Sequence, residues 1–173
     1  MSGVIVGIDP GLTGAVGVIN TQGEFVAAWD LPVMRDQSLA WIDATQLRDQ
    51  FLKLREILSP GATIRFVVER VSAMPKQGVS GVFTFGVTFG SILATVQSFG
   101  YPLELVTPVK WKNALGLRGK SGAVGAAKRA ALDRARLLFP AAELTLIKHE
   151  ARAEALLIAH WALRHQTPER VAA

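Results

Sequence analysis

Four carboxylates stand at positions where they could act together. Asp9 ends a short β-branched run, Glu69 ends a second apolar run, and Glu150 and Glu154 lie near the C-terminus. On a helix, residues four apart share one face and lie about 6 Å apart along the axis. Clustered carboxylates repel one another unless a cation neutralises them, and oxygen ligands suit Mg²⁺ or Mn²⁺. If the four carboxylates meet, they could hold two divalent ions roughly 4 Å apart, an arrangement that hydrolyses phosphodiesters in nucleases.

Each of these carboxylates also has an ordinary structural interpretation. Asp9 begins an Asp-Pro-Gly turn, Glu69 has Arg65 and Arg70 as candidate ion-pair partners, and the two late glutamates fit a solvated helix face. Asp9 and Glu69, however, each follow an apolar strand, where a carboxylate that enters a buried sheet needs a compensating partner. From residue types and spacing alone, a metal site and purely structural roles both remain open.

Several basic residues are concentrated between positions 110 and 129 of the chain. The formal net charge is +5 and the pI is near 10.0, which favours a polyanionic partner. Trp111, between two lysines, can stack on a base, although packing in the core is favoured. The alternative for the basic segment is a solvated surface. The candidate phosphate contacts are Lys110, Lys112, Arg118, Lys120, Lys128 and Arg129.

Length and composition restrict the class of protein. A chain of 173 residues with 50% apolar residues is long enough for one packed domain, expected over residues 1–167 with a frayed tail at 168–173. The absence of cysteine excludes disulfides, zinc fingers and a cysteine nucleophile. No signal peptide and no apolar run of about 20 residues is recognised, so a soluble, cytoplasmic protein that does not engage a membrane is expected.

Two groups of strands must position the carboxylates. Residues 4–9, 15–20 and 25–31 are short apolar runs separated by turn residues, which predicts an antiparallel meander. Residues 64–69 and 103–107 predict two further buried strands. Between the groups, Asp43 with Gln46 resembles a capping box and starts a helix that Pro60 and Gly61 end.

The second half of the chain alternates between helices and loops. A stretch rich in glycine and phenylalanine precedes a helix predicted over residues 92–99. A short helix at 111–116 and a basic loop at 119–123 follow. Longer helices are predicted over 124–138 and 149–165. Strands followed by strand and helix alternation indicate a single α/β domain with a mixed sheet covered by helices.

Five segments, in this order along the chain, resemble RuvC-type Holliday junction resolvases, most closely the phage and prophage branch. The resemblance implies a ribonuclease H-like (retroviral integrase) fold, with a central five-stranded mixed sheet and helices on both faces. It implies a homodimeric, structure-selective endonuclease of DNA recombination and repair that nicks Holliday junctions or other branched DNA, leaving 5′-phosphates, in a bacterial cell or phage-infected host. Two Mg²⁺ or Mn²⁺ ions would be held by Asp9, Glu69, Glu150 and Glu154. The segments are GIDPGLTGAVGVI (7–19), VVERVSAMPKQG (67–78), FTFGVTFG (83–90), TPVKWKNALGL (107–117) and HEARAEALLIA (149–159).

The resemblance also assigns residues around the junction and shows departures. Residues 71–77 would approach the crossover, with Met74 as an apolar wedge and Lys76 as a phosphate contact. Bacterial relatives place the last two acids three apart as aspartates, and phage relatives have Asp-Gly where this chain has Glu150-Ala151. His149 is either an auxiliary catalytic group or a capping residue. The three phenylalanines of residues 83–89 are expected in the core or in a dimer interface.

Several other functions remain open from the sequence. The opening turn also resembles that of actin-like and sugar-kinase proteins, but these normally need about twice this length. A ribonuclease H acting on RNA/DNA hybrid, a transposase-like enzyme or an RNA-processing nuclease would use the same carboxylates. A non-catalytic protein that binds branched DNA with a degraded metal site is favoured by Glu150-Ala151.

Overall fold

The fold is seen in a computed structural model that describes residues 3–37, 39–72, 78–117 and 125–165, without the side chains of Ala127 and Lys128. The first three strands form the predicted antiparallel meander, in which β2 pairs with both β1 and β3. All of β2 and nearly all of β1 are buried, because these runs are apolar on both faces. The strands are β1 (Gly3–Asp9), β2 (Ala15–Asn20) and β3 (Phe25–Asp30).

Two parallel strands complete the main sheet. After a small hairpin of β4 (Val33–Arg35) and β5 (Ala40–Ile42), β6 (Thr63–Glu69) pairs parallel with β1, and β7 (Leu103–Val106) pairs parallel with β6. The order is β3-β2-β1-β6-β7, so β1 is central and β7 is an edge strand. The predicted five-stranded mixed sheet is confirmed. The β4–β5 hairpin was missed because three-residue strands carry no measurable alternation.

The first helix begins where the sequence predicted it. In α1 (Ala44–Glu56), the side chain of Asp43 accepts a hydrogen bond from the backbone N–H of Gln46 at 2.9 Å. This contact satisfies one of the free N–H groups of the first turn. Leu47, Phe51 and Leu54 recur at helical spacing and are buried against the sheet.

The second helix corrects two sequence predictions. The helix predicted over 92–99 is the C-terminal part of α2 (Val79–Gln97), because the glycines of the preceding stretch do not interrupt it. The 19 residues of α2 are uncharged, and an 18-residue stretch of the helix has a mean hydropathy of 1.7. By length and composition α2 could therefore cross a membrane, contrary to the expectation of no such run. Core helices of soluble proteins meet the same criterion. Its Ile92 and Val96 join the core cluster beneath the sheet.

Of the two positions expected for the phenylalanines, core or dimer interface, the core is confirmed for Phe89. Phe89 packs against the core cluster beneath the sheet and its ring lies 6.2 Å from that of Phe85. Phe83 is 62% exposed, so it is not a core residue of this chain. Its position on α2 turns it away from the sheet, and a dimer interface stays a prediction for it.

The remaining helices cover the opposite face of the sheet. Three helices were predicted here, over residues 111–116, 124–138 and 149–165. They correspond to α3 (Pro108–Ala114), α4 (Ala126–Leu138) and α5 (Glu150–Arg164). Two 3-10 turns, Pro140–Ala142 and Ile147–His149, connect α4 to α5. Helices therefore lie on both faces, as predicted. The expected domain end at 167 and the tail at 168–173 lie outside the described residues.

Glycines let α5 lie directly on the two central strands. A Cβ on Gly7 would stand 2.1 Å from the carbonyl oxygen of Ala155, and one on Gly17 would stand 2.5 Å from the amide nitrogen of Leu156. Both distances are far below van der Waals contact with backbone that cannot swing aside. This close approach fixes α5 against β1 and β2, and with it the candidate site residues that α5 carries.

Candidate active site

Asp9 and Glu69 end neighbouring parallel strands. The register pairs Ile8 with Val68, so Asp9 and Glu69 occupy the next positions at the carboxyl ends of β1 and β6. Adjacent strands lie about 4.8 Å apart. Ile5 and Val67 belong to the core cluster that contains α5, and alternation along each strand places Asp9 and Glu69 on that same side.

The N-terminal end of α5 lies over the same end of the sheet. Arg152 donates from Nε and a terminal nitrogen to the two carboxylate oxygens of Asp30, at 2.7 and 2.8 Å. Asp30 ends β3 and pairs with Ala15, which in turn pairs with Asp9. The hydrogen bond from Arg152 holds the pKa of the Asp30 carboxyl below its ordinary value, with burial opposing it. This bidentate contact anchors α5 beside the strand ends.

Glu69 is a buried carboxylate with a specific donor. It is 6% exposed, and the indole Nε1 of Trp111 donates a hydrogen bond to its Oε1 at 2.7 Å. Burial raises the pKa of Glu69, the nearby charge of Glu154 raises it further, and the bond from Trp111 and the charge of Lys112 lower it. Glu69 and Glu154 are therefore close enough to repel one another. Neither candidate ion pair of Glu69 forms among the described residues: Arg65 binds Glu104 instead, and Arg70 makes no ion pair with Glu69.

The ammonium group of Lys112 lies beside the carboxylates of Glu69 and Glu154 and neutralises part of their charge. Its Nζ lies 3.0 Å from Oε1 of Glu154, which is 8% exposed, and 4.8 Å from the ring centroid of Trp111. Consecutive residues of α3 thus contact two different carboxylates. Without this ammonium, two nearby carboxylates would share a largely buried site with no cation.

The described residues contain no ready-made group of three or more Asp, Glu, His or Cys side chains that could hold a metal ion. The fold brings three of the four predicted carboxylates to one end of the sheet. Glu69 and Glu154 interact, and Asp9 lies at the neighbouring strand end on the same side. All three offer carboxylate oxygens, and a positive ammonium already sits against one of them. That chemistry fits a hard divalent cation.

Glu150 and His149 lie at the start of α5. Glu150 is the first residue of the helix, one turn before Glu154 and partly exposed. Nδ1 of His149 accepts a hydrogen bond from the backbone N–H of Leu146 at 3.4 Å, which caps the 3-10 turn before α5. Of the two roles weighed for His149, the structure displays the capping one.

The predicted DNA contacts are only partly within the described residues. Lys110 and Arg129 are exposed, and Nζ of Lys110 lies 5.0 Å above the ring of Trp161. Lys112 is bound to Glu154, and Trp111 is fully buried, so core packing is confirmed for it. Outside the described residues lie Met74, Lys76, Arg118 and Lys120, together with the side chain of Lys128.

Sequence reasoning missed three contacts of the candidate site. The bond from Trp111 to Glu69 and the pairing of Lys112 with Glu154 each join residues 42 positions apart, and Arg152 reaches Asp30 across 122 positions. No local pattern reports such pairs. The one available signal was the placement of Trp111 and Lys112 on a short helix directly after an apolar strand.

Comparison with known proteins supports the resemblance seen in the motifs. Over 98 residues, 56% of this chain, the sequence is 37% identical to the chloroplastic Holliday junction resolvase MOC1 of Chlamydomonas reinhardtii. That match covers 10% of MOC1. RuvC of Thermus thermophilus in complex with Holliday junction substrate superposes with a TM-score of 0.62 and 21% identity, over 94% of this chain and 95% of RuvC. A second structure of the same protein gives 0.52 and 16%, over 95% and 97%. No family model matches.

These matches confirm the predicted fold. The chain has the ribonuclease H-like fold of RuvC over nearly its whole length. The predicted resemblance to RuvC-type Holliday junction resolvases is also confirmed, by sequence for MOC1 and by structure for RuvC. The placement in a phage or prophage branch stays a prediction.

Proposed function

We propose that this chain is a metal-dependent, structure-selective DNA endonuclease that nicks Holliday junctions or closely related branched DNA. The observation that carries the proposal is the grouping of three carboxylates at one end of a RuvC-like sheet. Asp9 and Glu69 end adjacent parallel strands, and Glu154 interacts with Glu69 from a helix on the same side. The matched resolvases support the substrate class.

We assign Asp9, Glu69, Glu154 and Glu150 as the ligands of Mg²⁺ or Mn²⁺. A bound divalent cation supplies an acidified water and stabilises the charge that develops on the phosphate. The protein supplies position: Trp111 holds one oxygen of Glu69, and the packing of α5 on Gly7 and Gly17 holds Glu154. Glu150 lies in the first turn of α5, one turn before Glu154, and would complete the ligand set from there.

The DNA would approach the face that carries α3 and the start of α4. Lys110 and Arg129 are exposed there and are available for phosphate contacts. Such contacts strengthen binding without specifying sequence. Met74 as a wedge and Lys76, Arg118, Lys120 and Lys128 as further contacts stay predictions.

The test is cleavage of end-labelled four-way junction, Y-fork, linear duplex and RNA/DNA hybrid, with Mg²⁺, Mn²⁺ or chelator. Wild type is compared with Asp9→Asn, Glu69→Gln and the control Glu56→Gln, which changes an exposed carboxylate on α1. We expect paired symmetric nicks on the junction that require metal and are retained only in wild type and the control. Cleavage confined to the RNA/DNA hybrid would show that the substrate is this hybrid and not branched DNA.

A second candidate is a junction-binding protein without catalysis. It is favoured by the ion pair between Lys112 and Glu154 and by the lack of a ready-made metal group among the described residues. Junction binding that is equally tight with metal or chelator, and never followed by cutting, would select this alternative.

A homodimer is proposed through α2. One side of this helix carries a stripe of exposed apolar and small residues, with Val79 at 87% and Phe83 at 62% exposure followed by Gly86, Gly90 and Ala94. Nothing lies within 4 Å of a Cβ built on either glycine. An uncharged exposed stripe of this length is typical of an interaction surface. Two subunits would give one active site for each strand to be cut.

A further inference from the structure

Trp111 makes the only described side-chain hydrogen bond to Glu69. The indole nitrogen is a donor only, and it meets Oε1 at 2.7 Å inside the core, with Trp111 fully buried. No hydrogen bond from the described residues reaches the other oxygen, Oε2. The two oxygens of Glu69 therefore have different environments.

The other buried indoles show that the fold does not need such a bond. The Nε1 atoms of Trp29 and Trp161 are buried with no hydrogen-bond partner among the described residues. Trp161 is as fully buried as Trp111 and belongs to the same core cluster. Burial of a tryptophan therefore does not account for the bond to Glu69.

The hydrogen bond from Trp111 restricts the rotation of the Glu69 carboxylate. A carboxylate at a strand end can rotate about its last side-chain bonds, and a short charge-assisted bond from a fixed donor limits that rotation. Trp111 is itself fixed by α3, in which Thr107 caps the helix and Pro108 stands in the first turn. The next residue, Lys112, holds Glu154, so one short helix braces two carboxylates.

We propose that Trp111 is a positioning residue, which holds Oε1 of Glu69 so that Oε2 is presented to the metal ion. This inference rests on the proposed metal-dependent function and adds a residue to it. Partners of this kind, which touch a ligand and not the metal, are worth about 10- to 100-fold in metal affinity or activity.

The test measures Mn²⁺ affinity by calorimetry, without DNA, in wild type, Trp111→Phe and the control Trp161→Phe. Both variants replace a fully buried indole by a smaller ring, but only the first removes a bond to a carboxylate. We expect Trp111→Phe to weaken Mn²⁺ binding about 10-fold and Trp161→Phe to leave it within about twofold. Melting temperatures of all three confirm that each is folded at the temperature of measurement.

A second readout follows the indole N–H directly. The chain has four tryptophans, so a nitrogen-15 correlation spectrum contains four indole signals, and the Trp111→Phe variant identifies one of them. Addition of Mg²⁺ is expected to shift that signal and to leave the signal lost in Trp161→Phe in place.

Equal Mn²⁺ affinity in wild type and Trp111→Phe would overturn the inference while leaving the metal site intact. Equal weakening in both variants would assign the effect to a loosened core and overturn it as well. Failure of wild type to bind Mn²⁺ at all would instead remove the proposed metal site, and the role of Trp111 with it.

Discussion

Lys112 occupies a position where a bound cation would compete with it. Its ammonium lies 3.0 Å from Glu154, and its charge lowers the pKa of Glu69, so it already neutralises part of the carboxylate pair. In the sequence it was one of several basic residues assigned to DNA. In the structure it belongs to the carboxylate site.

This position predicts the effect of Lys112→Met on metal binding. Removal of the ammonium leaves the carboxylates without their counter-charge, so Mn²⁺ without DNA should bind more tightly, by roughly three- to tenfold for a contact worth about 1 kcal/mol. Calorimetry measures the change, with Lys110→Met as the control because Lys110 contacts Trp161 and, among the described residues, no carboxylate. Unchanged or weaker binding in Lys112→Met would contradict the competition.

His160 lies in the interface of α4 and α5 with both ring nitrogens buried and without a partner among the described residues. Burial lowers its pKa, and the charges of Arg164 and Arg134 lower it further, while Phe139 presents a ring at 5.9 Å. The folded state therefore favours the neutral imidazole.

The sign of the resulting pH effect follows from proton linkage. In the unfolded chain His160 binds a proton below its ordinary pKa of 6.5, whereas in the folded chain it stays neutral until a lower pH. The free energy of unfolding therefore falls as the pH is lowered from 6.5 toward the pKa of His160 in the folded state. Urea unfolding of wild type and His160→Gln over this range should show a shallower pH dependence in the variant. Parallel curves would show that His160 does not contribute.

At the scale of elements, the decisive contact is between α5 and the two central strands. The strand glycines are required because Cβ atoms at Gly7 and Gly17 would overlap the backbone of α5. The same contact sets the height of Glu154 above the strand ends of Asp9 and Glu69. Packing and site geometry therefore depend on the same two positions.

Gly17→Ala should accordingly destabilise the fold and reduce activity together. Forcing a methyl group into this contact costs about 1–3 kcal/mol. The matched control is Gly81→Ala in the first turn of α2, where a Cβ meets nothing within 4 Å and alanine favours the helix, so stability should be unchanged or slightly higher. Urea unfolding and junction cleavage are the measurements. Equal stability of the two variants would contradict the contact.

At the scale of the whole molecule, the proposed cutting of both strands of a junction would need two sites. The described chain brings together one group of carboxylates, and its α2 leaves an uncharged stripe exposed on the face opposite α5. A two-fold pair of chains joined through α2 would bury the stripe and keep both α5 faces accessible.

Phe83→Glu should therefore convert a dimer into a monomer. Phe83 is 62% exposed, so the charge costs the single chain little, but in the proposed interface it would be buried without a partner. Light scattering after size exclusion gives the mass, and Leu137→Glu, at 77% exposure on α4, is the control. A monomeric wild type, or a dimer that persists in Phe83→Glu, would reject the interface.

Local patterns in the amino-acid sequence located most elements of the fold. Apolar runs with turn residues between them located all five strands of the main sheet, and capping by Asp43 located the start of α1. These features are local, because alternation and capping act over a few residues. The predicted extent of α2 was wrong. Glycines lower the helix propensity of a segment, but the segment still forms a helix when other contacts compensate.

The assembly of the candidate site, in contrast, depends on how the elements pack. Asp9, Glu69 and Glu154 were found from residue type and position, but their relative placement depends on strand register and on the close approach of α5. The roles of Trp111 and Lys112 arise from contacts across 42 residues, which no periodicity records. Sequence patterns report which face of an element is apolar. Which polar groups meet at its end is decided by how the elements pack.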